Sequence, residues 1–255
     1  VDGYIKGATV SVKKADGTVI YTTPAVTDAN GTYVIPSQYA YGAGTYYEAS
    51  GGDILAINSS STLLANKTFF TAPAGSTVIS PITTLIKAYM DKQGADVATA
   101  KAAIADALGL KTTGVDLTIY DPIAVLKTSP TDATAVLVEK KILMLSDLAN
   151  EAAQNPYAGL TDKTATVKLF ENMALIAKDK GQLNLTDGTT IDTATYQVID
   201  RAKLLPTKLV TDTKNIDAVT DKPGLDDVFN KAVNNQKASI IFSTGNDKGL
   251  TVEDD

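Results

Sequence analysis

A change of hydrophobic period at Ser80-Pro81 constrains this chain more than any other feature of its sequence. Before it, β-rich runs alternate with glycine-containing turns, and Ala8, Val10 and Val12 alternate with polar neighbours as in a half-buried strand. After it, apolar residues recur every three or four positions, as in amphipathic helices. The sequence therefore predicts an α+β protein. Its predicted regions are a β-sandwich domain (1–79), a helical domain (80–237), and a C-terminal strand with an acidic tail (238–255).

The N-terminal region predicts an antiparallel β-sandwich of about seven short strands. Turn signals such as Ala15-Asp16-Gly17 and Asp28-Ala29-Asn30-Gly31 separate runs rich in β-branched and aromatic residues. The predicted strands lie at 8–12, 18–22, 32–35, 45–49, 53–57, 67–72 and 77–79.

The region after Ser80 predicts a bundle of six or seven helices. Ser80 suits an N-cap and Pro81 the first helical position, and Asp121-Pro122 repeats that signal. The predicted helices lie at 81–92, 96–108, 122–127, 131–154, 163–180, 192–205 and 224–236, with Asp192 as a cap and 207–221 ambiguous. The helix at 131–154 is apolar over too wide an arc for one face, so we expect it at the centre of the bundle.

The residue types that are missing exclude most enzyme mechanisms. The chain has no cysteine, histidine or tryptophan, so it has no Ser-His-Asp triad, no thiol nucleophile and no ordinary zinc, copper or haem ligation. A glycosidase would need paired carboxylates and usually aromatic platforms, yet only 5 of the 29 acidic residues are glutamate. We therefore expect no enzymatic activity and no tightly bound organic cofactor.

The charge and hydropathy patterns also limit the partners. The formal net charge is −6, and phosphate binding needs concentrated positive charge, so we expect no nucleic-acid partner. No apolar run approaches the roughly 18–20 residues of a membrane helix, so we expect no membrane span. Because Val1 is not an initiator methionine, we expect a processed chain from which any targeting segment has been removed.

Calcium is the one metal that the residue types allow, because it needs only oxygen ligands. The candidate ligands are Asp28, Asn30, Asp53, Asp116 and Asp121. None of them has the spacing of an EF-hand loop, and each also suits a turn or a helix cap. Structural calcium and an ordinary turn or cap role therefore both stay open for these residues.

The run at 238–243 is predicted to be a strand, with Ser239, Ile240, Ile241 and Phe242 as its assembly residues. It has no strand neighbour in sequence, and an uncovered apolar strand is an aggregation hazard. The strand must therefore return to the N-terminal sandwich or pair with another copy of the chain. The stretch at 49–80 carries only Asp53 and Lys67 as charges, which suits either a sandwich interior or an association surface.

Two groups of motifs resemble known modules. Gly7-Ala8-Thr9-Val10-Ser11-Val12 and Thr27-Asp28-Ala29-Asn30-Gly31-Thr32-Tyr33 resemble the carboxypeptidase-regulatory-like and Cna-B-like β-sandwich superfamily. The resemblance implies a hairpin in which Gly31 supplies a positive φ and Tyr33 begins the next strand. Domains of this superfamily often carry an isopeptide bond, and Lys6, Asn58 or Asn66, and Glu48 supply the residue types for one.

The order of the later motifs is similar to modules of large, secreted bacterial surface proteins and adhesins, where a sandwich leads into a helical segment. The motifs are the run at 70–86, Ala107-Leu108-Gly109-Leu110, and Val115-Asp116-Leu117-Thr118-Ile119-Tyr120-Asp121-Pro122. The resemblance implies a secreted protein at the cell surface or in the extracellular space, and no shared enzymatic activity.

Together these observations predict a non-enzymatic structural protein: a subunit or module of a prokaryotic surface filament, matrix or adhesin. We expect copies to assemble by strand pairing, with the strand at 239–242 adding to an edge of the N-terminal sheet. The alternative is an adhesin module that acts as a monomer and binds a glycan or another ligand. Its tyrosine-rich loops, such as Tyr39–Tyr47, would stack on the ligand.

Overall fold

The computed structural model of the chain describes residues 4–22, 26–28, 30–40, 44–55, 62–228 and 231. The strands are β1 (Ile5–Lys6), β2 (Thr9–Lys14), β3 (Val19–Thr22), β4 (Thr45–Ser50), β5 (Asp53–Leu55), β6 (Thr62–Ala65) and β7 (Phe69–Pro73). The α-helices are α1 (Ser37–Ala40), α2 (Pro81–Gln93), α3 (Val97–Ala107), α4 (Pro122–Thr128), α5 (Ala133–Gln154), α6 (Asp162–Lys180), α7 (Gly188–Thr195) and α8 (Pro206–Asp217). A short 3₁₀ helix covers Lys111–Thr113, and residues 222–228 are also helical.

The strands form two antiparallel sheets. One has four strands in the order β3-β2-β4-β7, and the other has three in the order β1-β5-β6. In the larger sheet Val10 lies opposite Ala49 and Val12 opposite Tyr47. Val10, Val12 and Tyr47 are buried, so the alternation seen in the sequence does mark a strand with one face in the core.

The predicted sandwich of seven strands is wrong, because two of the predicted strands lie in loops and the larger sheet packs on helix α2 along β7. The run at 77–79 lies in a loop, where the backbone N–H groups of Thr77 and Val78 both donate to the carbonyl of Thr118. The run at 32–35 also lies in a loop, because Thr32 N–H donates to the Asp28 carboxylate, a local bond that competes with strand pairing. Gly31 has the expected positive φ of 65°, but no strand begins after it.

The larger sheet joins the helices along β7. Thr71 lies at the middle of β7, and its carbonyl accepts a hydrogen bond from the Thr83 hydroxyl at 2.8 Å. Its N–H donates to the hydroxyl of Thr84 at 2.9 Å. Both threonines lie in the first turn of α2, where Ser80 forms a capping box with Thr83. Side chains of α2 therefore occupy the edge of β7 that a further strand would use.

The main core lies in the helical region, around α5. Sixteen residues of α5 are buried, and helices α2, α4, α6 and α8 all pack on it. The prediction that the helix near 131–154 occupies the centre of a bundle is confirmed. Within the described ranges, no helix is long and apolar enough to cross a membrane.

Most predicted helices are present, but the one predicted at 192–205 is wrong. The helix in this region is α7, which begins a turn earlier because Asp187 accepts the N–H of Thr190 as its N-cap. It ends at Thr195, shortly before Gln197, whose φ is +53°. Asp192 is not a cap; it lies inside α7 and pairs with Arg201 at 2.6 Å. The ambiguous stretch at 207–221 is largely α8.

At the C-terminal end, the helix predicted at 224–236 is described only at 222–228 and at 231. The predicted strand at 238–243, with Ser239, Ile240, Ile241 and Phe242, lies outside the described residues.

Candidate functional site

A cavity of about 490 Å³ lies between the four-stranded sheet and the helical bundle. The sheet lines it with Val10, Ala49 and Phe70, which lie on the same face because they are cross-strand neighbours. The helical region contributes the start of α4 and Glu139 and Ile142 of α5 to the lining. The cavity thus lies where the sheet region meets the helical region, and interfaces between structural units are a common position for ligand sites.

Tyr4 and Asp121 form a hydrogen-bonded pair in the cavity wall. The Tyr4 hydroxyl donates to Oδ2 of Asp121 at 2.8 Å, while Oδ1 of Asp121 accepts the N–H of Ala124 and caps α4. Burial, together with the Asp121 carboxylate, raises the pKa of the Tyr4 hydroxyl far above its usual range. Nζ of Lys127 lies 4.6 Å from the ring centroid of Tyr4, a cation–π distance.

Glu139 is the second acidic residue of the wall and is only 1% exposed. Two residues that line the cavity from loops, Tyr33 and Ser76, have buried hydroxyls with no hydrogen-bond partner among the described residues. Burial is also the main reason why the pKa of Tyr33 is raised. Such hydroxyls are costly to bury unless water or a ligand supplies a partner.

The two edges of the four-stranded sheet differ. The β7 edge is occupied by Thr83 and Thr84. At the other edge, no described strand pairs with the outer side of β3, and Val19 at its start is 51% exposed. Only the β3 edge therefore presents backbone groups to an added strand, within the part of the larger sheet that the structure describes.

The predicted calcium ligands do not converge. Asp28 accepts the N–H groups of Asn30 and Thr32 in a turn, and Asp53 lies in β5 opposite Lys6 of β1. Nζ of Lys101 lies 2.7 Å from Asp116, which also accepts two bonds from Thr118. Asp121 caps α4. No group of three or more acidic side chains suited to a metal occurs in the described ranges, and calcium binding stays a prediction.

Two of the residues considered for an isopeptide bond, Glu48 and Asn66, have other partners. Lys6 is exposed on β1, whereas Glu48 is buried and contacts Lys13 at 2.5 Å and Lys163 at 3.2 Å. The side-chain amide of Asn66 donates to the carbonyls of Gly51 and Thr68. Asn58 lies outside the described residues.

The described tyrosines of the Tyr39–Tyr47 segment pack within the protein. Tyr39 stacks on Tyr21 with ring centroids 4.8 Å apart, and Lys87 lies 4.5 Å from the ring centroid of Tyr46. Tyr47 is 2% exposed, and its hydroxyl accepts the N–H of Gly75. These three rings therefore do not form an exposed platform for a sugar.

Sequence reasoning missed the cavity and its residues Tyr4, Tyr33 and Glu139. A signal for Glu139 existed, because it interrupts the apolar stripe of the central helix next to Val138 and Ile142. Tyr4 and Asp121 are 117 positions apart, and no local pattern links them. Compared with known proteins, the chain matches no family model, no curated protein and no solved structure.

Proposed function

We propose that this chain is a non-enzymatic structural subunit or module of an extracellular assembly, in which copies join by strand addition at the β3 edge. The single observation that carries the proposal is the asymmetry of the larger sheet, which has one edge occupied by α2 side chains and the other without a described strand. The extracellular setting draws on the motif resemblance to secreted surface modules.

The β3 edge has the properties of an acceptor. Its four residues lie next to β2 in an antiparallel pair, so an added strand would extend an existing twisted sheet. Tyr21 of β3 is supported by its stack on Tyr39, and Ile20 packs against the core cluster of Val12, Tyr47 and Ala72. The edge is therefore held in place by its own side chains and does not need the added strand in order to form.

The proposed donor is the segment Ser239–Phe242 of a neighbouring copy. Three of its four residues are apolar and β-branched or aromatic, types that favour strands. In strand addition, main-chain hydrogen bonds supply affinity and alternate side chains supply specificity. A single copy would then carry both a donor segment and an acceptor edge, which is the arrangement that an open polymer needs.

The test compares the assembly of the wild type and three variants by light scattering and electron microscopy. Deletion of 238–255 removes the donor, and Val19→Lys places a charge at the start of the acceptor edge, a substitution that natural edge strands use to block pairing. Val34→Lys, at a loop residue that is 72% exposed, is the matched control. We expect polymers from the wild type and Val34→Lys, and folded monomers from the other two. Normal assembly by the deletion variant would overturn the proposal.

A further inference from the structure

The charged side chains among the described lining residues of this cavity are all acidic. Its described lining residues include two carboxylates, those of Asp121 and Glu139, and no lysine or arginine. Lys127 is a nearby cation, because its ammonium group lies over the ring of Tyr4, but it is not one of the lining residues. An anionic ligand would therefore meet repulsion on entry, and a cation would be attracted.

The apolar part of the wall suits the same kind of ligand. Aromatic rings of Tyr4, Tyr33 and Phe70 line the space, and aromatic faces attract ammonium groups. The protein itself places three lysines over aromatic rings, including Lys163 at 4.7 Å from the centroid of Phe69.

We propose that this cavity binds a small organic cation with a primary ammonium group on an apolar or aromatic body. The ammonium group lies near Glu139, and the apolar body lies against Val10, Ala49 and Phe70 of the sheet. A volume of about 490 Å³ falls within the range of about 300–1,000 Å³ found for small-molecule sites. A neutral isostere would fill the same space but would gain nothing from the charge of Glu139.

The proposal is independent of strand addition, since every group that it uses belongs to one copy of the chain. The ammonium group could be that of a free amine or that of a lysine side chain on a peptide. Isothermal titration calorimetry distinguishes these sources with two probes, benzylamine and N-acetyl-lysine methylamide. Benzyl alcohol and benzoate are the neutral and anionic isosteres of the first probe. The buffer must be phosphate, because amine buffers would compete for the site.

Glu139→Gln removes the charge with little change in shape, and Glu171→Gln is the matched control on the surface of α6, where Glu171 pairs with Lys92. We expect the wild type and Glu171→Gln to bind an ammonium probe, and Glu139→Gln to bind it at least about tenfold more weakly. Ala49→Leu keeps the charge but fills part of the cavity, so it should also weaken binding. Circular dichroism confirms that each variant is folded.

Three results would overturn the proposal. They are equal affinity for benzylamine and benzyl alcohol, unchanged affinity in a folded Ala49→Leu variant, and no binding of either ammonium probe up to about 10 mM. If Glu139→Gln does not fold, Ala49→Leu and the comparison of isosteres still decide the question. Binding of the lysine probe alone would support the ammonium site and identify a peptide as its source.

Discussion

The sheet region and the helical region of this protein are built with very different cores. In the helical region, a single continuous core runs through nearly every helix, and residues such as Leu85, Leu145 and Phe170 are almost completely buried. Among the described residues, the larger sheet has a separate cluster with three buried members, Val12, Tyr47 and Ala72. A cluster of that size buries little apolar surface, so the sheet depends on the helices for much of its stability.

The contacts between the two regions fit this dependence. Phe70 of β7 belongs to the helical core, and Glu48 of β4 reaches Lys163 at the start of α6. Glu48 also pairs with Lys13 of β2, so one buried carboxylate connects two strands of the sheet to the bundle. The comparison teaches that a large core can support a small sheet, and that an unfilled space remains where their surfaces meet.

The largest expected effect tests whether the sheet can stay folded at a urea concentration that unfolds the helical bundle. Phe170→Ala should lower the free energy of unfolding by about 4 kcal/mol, because it opens a cavity in the main core. Val12→Ala, in the sheet cluster, should lower it by about 2 kcal/mol. Urea unfolding is followed by circular dichroism for the helices and by tyrosine fluorescence for the sheet, since 7 of the 11 tyrosines lie in residues 1–47 and tryptophan is absent.

If the sheet depends on the bundle, Phe170→Ala shifts both signals to the same lower urea concentration. A tyrosine transition that stays at the wild-type concentration while the circular dichroism transition moves would contradict this dependence. Val12→Ala is the complementary variant. If the sheet and the bundle unfold as one unit, it also shifts the two signals together, whereas a sheet that unfolds first would move the tyrosine signal alone.

The two regions also differ in how well the sequence predicts them. Ser80 and Asp121 mark the true beginnings of α2 and α4, because a cap bond spans only three residues and both partners can be seen in one short window. The partner of a strand, in contrast, can lie far away in the sequence, so that no short window then contains both. Thr77 and Val78 have strand-like neighbours, yet their N–H groups bond to Thr118, which is distant in sequence, and no pattern in the chain announces that partner.

A second, smaller effect tests α7, the helix whose predicted beginning at 192 lies furthest from the observed one at Gly188. Asp187→Ala removes the cap of α7 and should lower the melting temperature by about 3 °C. Asp192→Ala removes only an exposed ion pair with Arg201 and should lower it by less than about 1 °C. Differential scanning calorimetry of both variants makes the comparison. If Asp192→Ala has the larger effect, the helix begins where the periodicity placed it.

The position and lining of the cavity could not be predicted from the sequence, for a further physical reason. A void depends on what the side chains leave unfilled, and here its walls come from β2, β4, β7, the loop with Tyr33, and helices α4 and α5. Each wall residue has an ordinary role in its own element: Val10 as a strand residue, Asp121 as a cap. Their shared position follows only from the packing of the two regions, so it becomes visible only in the fold.

The smallest expected effect concerns Asp116, which lies in the helical region beside α3. Partial burial opposes its ionisation, but the Lys101 ammonium and the N–H and hydroxyl of Thr118 outweigh this and lower its pKa to about 2. A carboxyl with a lowered folded-state pKa stabilises the fold above its unfolded pKa of about 4, and that contribution disappears as the pH falls to about 2. Asp116 is partly exposed, so we expect the contribution to be below about 1 kcal/mol.

Urea unfolding of Asp116→Asn and of the wild type, at several pH values between about 5 and 2, measures this contribution. The wild type should be the more stable protein at about pH 5, and the difference should shrink toward zero at about pH 2. EDTA is present throughout, so that no bound cation adds to the stability of the wild type. Asp106→Asn, which removes an exposed pair with Lys111, controls for the loss of one surface carboxylate. A difference that stays constant with pH would contradict the prediction, because it would show that the ionised form of Asp116 adds no stability to the fold.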